Sequence, residues 1–168
     1  MRVRDDGAEE RMSYDVRVTD QPRRPIAAVA ATTTWPEFPG LWRGMLDEVY
    51  ACLRQAGARG GCNVMLYRSL PGDDRFAVQV GVEVIAPFQL SGRVEASALP
   101  SGFAAGTTHR GPYGELGAAH QAVLRWCAEQ GRELTGERWE VYGDWHEDPA
   151  ELQTEVFYRL RAAGQARS

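Results

Sequence analysis

A chain of 168 residues, 43% hydrophobic, 10% aromatic and 25% charged, has room for one domain or two fused half-domains sharing a core. The formal charge is −4, every basic residue is arginine, and no basic block occurs, which leaves nucleic acid binding with little electrostatic support. No apolar run approaches the ~18 residues of a membrane span, and without lysine there is no Schiff base chemistry.

The charged opening MRVRDDGAEERM lacks the apolar stretch of a secretory signal. A cytoplasmic protein is expected, with residues 1–12 a tail and Met12 an alternative start. Segment 14–20 alternates Tyr14, Val16 and Val18 against polar neighbours and predicts a strand. After Pro22 and Pro25, residues 26–34 (IAAVAATTT) predict a second. Pro36 and Pro39 bracket a helix start, and Leu41, Met45, Leu46, Val49, Tyr50 and Leu53 then form one apolar face, stopped by Gly57 to Gly61. Residues 62–69 predict a third strand. Residues 75–85 predict a fourth, with Phe76, Val78, Val80, Val82 and Val84 on one side.

Strands are expected over 93–99 and 103–109, separated by Pro100-Ser101-Gly102. A helix over 113–130 carries Leu116, Ala119, Val123, Leu124 and Cys127 on its apolar side. Strands over 137–145 and 151–160 follow, and residues 161–168 form a C-terminal tail. The order is β-β-α-β-β-β-β-α-β-β, and the second half repeats the first. IAAVAATTTWP and GFAAGTTHRGP are both small-residue strands ending in paired threonines, with a proline before the helix. This predicts an α/β fold of the α+β type: duplicated β-α-β-β modules, repeat one over 13–90 and repeat two over 91–160. Their antiparallel sheets and two main helices would enclose a central pocket between the repeats.

Candidate site residues stand against that frame. Glu140, in WEVY, shares strand parity with Arg138 and Tyr142, and Trp139, Val141 and Trp145 point the other way. It is either an outward carboxylate paired with an arginine or a group turned into the cleft. There it would need a cation or donors and would select charge or do acid–base work. Glu83, near Gly81, carries the same ambiguity in the first repeat. Tyr67, Tyr113, Tyr142, Trp35 and Trp145 are candidates for an aromatic wall. His109 is a candidate donor near the cleft, although a structural or surface role is the leading reading for His109, His120 and His146 alike. Cys52, Cys62 and Cys127 lack CxxC spacing and read as buried, reduced thiols, and neither a metal site nor a cofactor motif is evident.

Residues PRRPIAAVA at 22–30, LPSGFAAGTTHRGPYGELGAAHQAVLRWCAEQG at 99–131, WEVYGDW at 139–145 and LQTEVFYRL at 152–160 carry a resemblance. Over 13–160 the chain resembles the GyrI-like small-molecule-binding domain, also the effector-binding domain of AraC-type and MerR-type multidrug-responsive regulators. The resemblance implies duplicated SHS2-like modules around a hydrophobic, aromatic-lined pocket. It gives Glu140 the role of the family's characteristic acidic residue, with Tyr142 beside it, engaging lipophilic cations. Other relatives modulate DNA gyrase, and a further branch hydrolyses cyclopropane-bearing alkylating metabolites with a glutamate and aromatic residues; on that reading Glu140 and Tyr142 would be catalytic. An appended DNA-binding domain is not expected. Binding of a small lipophilic or cationic ligand, for sequestration or sensing, is therefore the leading expectation. Hydrolysis and a protein partner such as gyrase remain open, as a monomer or homodimer.

Overall fold

Phe76 followed by valine at every second position to 84 fits one apolar face of a pleated strand. The computed structural model, which describes residues 14–72 and 74–162, buries Phe76, Val78, Val80 and Val82 together. The expected tail over 1–12 lies outside the described residues, as does the C-terminal tail beyond 162. Eight strands and two α-helices follow in the expected order: β1 Arg17–Gln21, β2 Arg24–Thr33, α1 Trp42–Ala56, β3 Gly60–Ser69, β4 Phe76–Val84, β5 Glu95–Leu99, β6 Gly102–Arg110, α2 Leu116–Glu129, β7 Leu134–Tyr142 and β8 Gln153–Leu160.

Local chemistry shifts some boundaries. Pro112 is extended (φ −58°, ψ 144°), so the expected helical start at 113 is a 3-10 turn, Tyr113–Glu115, before α2 begins. The strand expected to reach 145 ends at Tyr142. The chain then turns where Asp148 accepts a hydrogen bond from the Ala150 N–H at 3.0 Å and Pro149 opens a second 3-10 turn. Gly57 ends α1 in the left-handed region at φ 66°, and Gly131 stands just past α2 at φ 64°.

All strands join one antiparallel sheet in the order β1-β6-β8-β7-β3-β4-β2-β5. Exchanging the two halves reproduces this order read backwards. A pseudo-two-fold axis therefore runs between β3 and β7. Each half also gives its first strand to the other: β1 pairs with β6, and β5 with β2. This exchange bends the sheet. Only Pro22 and Arg23 join β1 to β2, and only Pro100 and Ser101 join β5 to β6, yet each pair stands six strands apart. In a flat sheet that separation is ~29 Å, and three Cα steps reach at most ~11 Å. The sheet must curl until its ends meet.

The inside of the curl is a core without a helix. Ile26, Ala28 and Leu99 from one end meet Ala104 and Phe157 from the other, around Val64, Leu66, Trp139 and Val141. Both helices lie on the opposite face. Met45, Val49, Cys52 and Leu53 of α1 pack on Val78, Val80 and Val82, and Leu116, Ala119, Val123 and Cys127 of α2 pack on Ala105, Val156 and Tyr158. Between the helices the middle of the sheet, β3 and β7, is left open.

Candidate functional site

Strand alternation decides what fills that opening. In β3, Val64 and Leu66 point into the curl and Met65 and Tyr67 point toward the helices; in β7, Trp139 and Val141 point in and Glu140 and Tyr142 point out. The register places Met65 directly across from Glu140 and Tyr67 across from Arg138. A cavity of about 800 Å³ lies over these strands, with Tyr67, Met65, Glu140 and Tyr142 at its base. Trp42, Leu46 and Tyr50 of α1 line one side and Leu116 of α2 the other; Trp35, Tyr113 and Trp145 stand at the mouth.

Glu140 is 4% exposed, and its carboxylate meets three partners. Oε1 accepts hydrogen bonds from the Tyr67 hydroxyl at 2.7 Å and the Tyr142 hydroxyl at 2.9 Å. His120 Nε2 lies 2.7 Å from Oε2, and its Nδ1 lies 2.8 Å from the Tyr158 hydroxyl. Burial, then the Glu140 charge, pushes the Tyr67 and Tyr142 phenols far above their ordinary range, which keeps both as donors. Burial also raises Tyr158, to about 12, against the pull of Arg138. One buried carboxylate is thus satisfied by donors from both halves and from α2.

Arg138 makes no ion pair with Glu140. Its guanidinium lies over the rings of Trp35, Tyr67 and Tyr158, at 5.4, 5.2 and 6.0 Å from their centroids. The aromatic wall has two parts: Trp35 stacks on Phe76 at 4.3 Å and lies 5.6 Å from Tyr67, and Tyr113 sets its edge against Tyr142 at 5.6 Å. Three residues before Glu140 on β7, Glu137 clamps the halves by pairing with Arg68 of β3 at 2.9 Å and Arg159 of β8 at 2.6 Å. Burial raises its carboxyl, but the two arginines outweigh that and hold it below its ordinary range.

Of the residues singled out from sequence, Glu140, Tyr142, Tyr67, Tyr113, Trp35 and Trp145 come together around one cavity. Glu83 does not join them; its side chain pairs with Arg24 of β2 at 2.8 Å. His109 is buried elsewhere, bonded to the Tyr14 hydroxyl at 2.9 Å and the Pro112 carbonyl at 3.0 Å, in the wall of a separate groove of about 610 Å³ beside β1 and β6. His120, expected to be structural or a surface residue, is instead a direct partner of Glu140. Its signal was its place on α2: four residues after Leu116 and three before Val123, on the flank of the apolar stripe. Leu46, counted with the apolar face of the first helix, also lines the cavity, as do Met65 and Trp42.

Among the described residues no group of three or more His, Cys, Asp and Glu side chains could hold a metal ion, and no helix is long and apolar enough to cross a membrane.

The fold agrees with that of three similar solved structures. The C-terminal domain of EcmrR is 19% identical, with a TM-score of 0.72 over 88% of this chain and 98% of that one. SAV2435 bound to tetraphenylphosphonium is 12% identical, with a TM-score of 0.63 over 88% and 94%. A hydrolase from Listeria innocua is 10% identical, with a TM-score of 0.57 over 87% and 91%. No curated protein matches the sequence. The GyrI-like small molecule binding domain family matches residues 14–161, nearly the whole described chain, and the protein therefore belongs to the GyrI-like small-molecule-binding family.

Proposed function

We propose that the chain binds lipophilic aromatic cations, with Glu140 as the group that selects charge. The observation that carries this is a buried carboxylate at the base of an aromatic-walled cavity. Burying a carboxylate is costly even when it is hydrogen-bonded. An incoming cation shielded from water would gain more from that charge than it would in solvent, while Trp35, Tyr67 and Tyr113, which line the same cavity, give aromatic surface to its apolar body. The solved relative holding tetraphenylphosphonium supports the choice of probe. Sequestration and sensing both follow from such binding.

The test is tryptophan-quenching titration with tetraphenylphosphonium and with triphenylphosphine oxide, a neutral compound of related shape. Glu140→Gln is expected to weaken the cation about 10- to 100-fold, equivalent to ~1.4–2.7 kcal/mol, and the neutral compound less than about threefold. Equal losses for both would remove the charge-selecting role.

A second reading, hydrolysis of electrophilic planar metabolites, is favoured by the Tyr67–Glu140–His120 contacts. A carboxylate within 3 Å of both an imidazole and a phenol can take a proton from water, and the phenol can hydrogen-bond developing negative charge. Turnover of a cyclopropane-bearing indole with uptake of one water, detected by mass and abolished in Glu140→Gln, would establish it. Recovery of unchanged compound would leave binding alone.

A further inference from the structure

The carboxylate that would meet a cationic ligand already holds a titratable partner. His120 Nε2 is 2.7 Å from Glu140 Oε2, and Nδ1 is 2.8 Å from the Tyr158 hydroxyl. A phenol hydroxyl both donates and accepts. With Nε2 protonated, neutral imidazole donates to Glu140 and accepts at Nδ1 from Tyr158. The imidazolium donates at both nitrogens, and Tyr158 turns from donor to acceptor. A proton can therefore come and go at Nδ1 without loss of either hydrogen bond.

The three phenols nearest this ring do not compete for that role. Tyr67 on β3, Tyr142 on β7 and Tyr158 on β8 all hold their protons above the ordinary phenol range. Arg138 stays a guanidinium throughout, and its charge lies on aromatic rings. Burial raises the thiol of Cys127, on α2 itself. Tyr113 and Asp144 line the same cavity. Histidine is the side chain whose charge ordinarily changes between pH 5 and 8.

We propose that His120 is a specificity-determining residue whose Nδ1 proton is exchanged for the positive charge of the ligand. This deepens the cation-binding reading and rests on it. The cation enters, the Nδ1–H bond breaks, one proton leaves to solvent, and Glu140 stays a carboxylate with the Nε2–H still on it. With the Arg138 guanidinium already over Tyr67 and Tyr158, imidazolium and ligand together would crowd a further positive charge around one carboxylate in a site poor in water, where like charges repel most strongly. Acid therefore weakens binding of a permanent cation and leaves a neutral aromatic little affected.

Calorimetric titration of the whole chain with tetraphenylphosphonium between pH 5 and 8, in two buffers of different protonation enthalpy, tests this. On the acid side affinity should fall towards tenfold per pH unit, and the observed heat should depend on the buffer with one proton released. His120→Gln keeps an amide donor for Glu140 but takes up no proton, and its affinity should vary less than twofold over the range. A flat wild-type profile with equal heats in both buffers would overturn the proposal while leaving cation binding intact, and so would an unchanged slope in His120→Gln. Absence of tetraphenylphosphonium binding at every pH would overturn both. Should His120→Gln not fold, the ring C–H signals of His120 followed by NMR from pH 5 to 8 with and without tetraphenylphosphonium decide: a titration midpoint lowered by the ligand supports the exchange, and an unchanged midpoint overturns it.

Discussion

In the first half of the chain, α1 and β3 bring Leu46 and Met65 to the cavity; in the second, the corresponding positions of α2 and β7 carry His120 and Glu140. The correspondence follows from packing. Met45, Val49 and Leu53 bury the face of α1 that Ala119, Val123 and Cys127 bury on α2, and Gly57 and Gly131 stand past the two helix ends. In the strands, Met65-Leu66-Tyr67 aligns with Glu140-Val141-Tyr142, and the pseudo-two-fold axis falls between Met65 and Glu140, which are register partners. This position explains why the halves differ. A glutamate in both copies would set two carboxylates directly opposite one another on adjacent strands, an arrangement that destabilises the sheet. Duplication supplies the walls and two symmetric tyrosines, but the axis admits one charge.

The largest effect that would sharpen this comparison is alkaline. Tyr67 from the first half, with Tyr142 and Tyr158 from the second, keeps its proton in the folded state when the unfolded chain has begun to lose it near pH 10. Stability is then full below pH 10 and falls as pH rises toward 12, by about 1.4 kcal/mol per pH unit for each phenol. Denaturant melts from pH 8 to 12 should show this; a flat profile would mean the phenols are not buried donors.

Next in size is Trp139→Ala. Trp139 is 1% exposed and stacks on Phe157 at 5.5 Å inside the curl, where no helix covers the sheet. A loss of about 3–5 kcal/mol is expected by urea unfolding. A loss under ~1 kcal/mol would show that the helix-free face is not a true core.

Tyr67→Phe and Tyr142→Phe compare the halves directly, because both hydroxyls donate to the same Glu140 oxygen. Each should cost about 1.5–3 kcal/mol, and the double variant should depart from the sum, since the two share one acceptor. Strict additivity would contradict the shared contact. The smallest effect is expected of Glu83→Gln. Its pairing with Arg24 is partly exposed, so a change under ~1 kcal/mol is expected, with cation binding unaltered.

Much of the fold was legible because its signals are local. The valine alternation of 76–84, the apolar stripes of both helices and the repeated small-residue strands state element type and order. The exchange of β1 and β5 between halves was not legible, since strand pairing depends on long-range contacts that leave no mark on either strand. Glu140, Tyr67 and Tyr142 could be singled out by parity within their strands. The role of His120 is not legible, because a lone histidine on a helix flank looks the same whether it meets solvent or a carboxylate 20 residues away. Glu83 shows the converse: the same residue type in the last strand of its repeat lies outside the cavity, paired with Arg24.

The most direct test of a doubled scaffold with one-sided chemistry is a crystal structure of the chain with tetraphenylphosphonium. The phosphorus is expected in the cavity between α1 and α2, nearer the Glu140 carboxylate than the Met65 sulfur, with phenyl groups against Trp35, Tyr67 or Tyr113. A cation centred over Met65, or seated in the groove beside β1 and His109 with the central cavity empty, would contradict it.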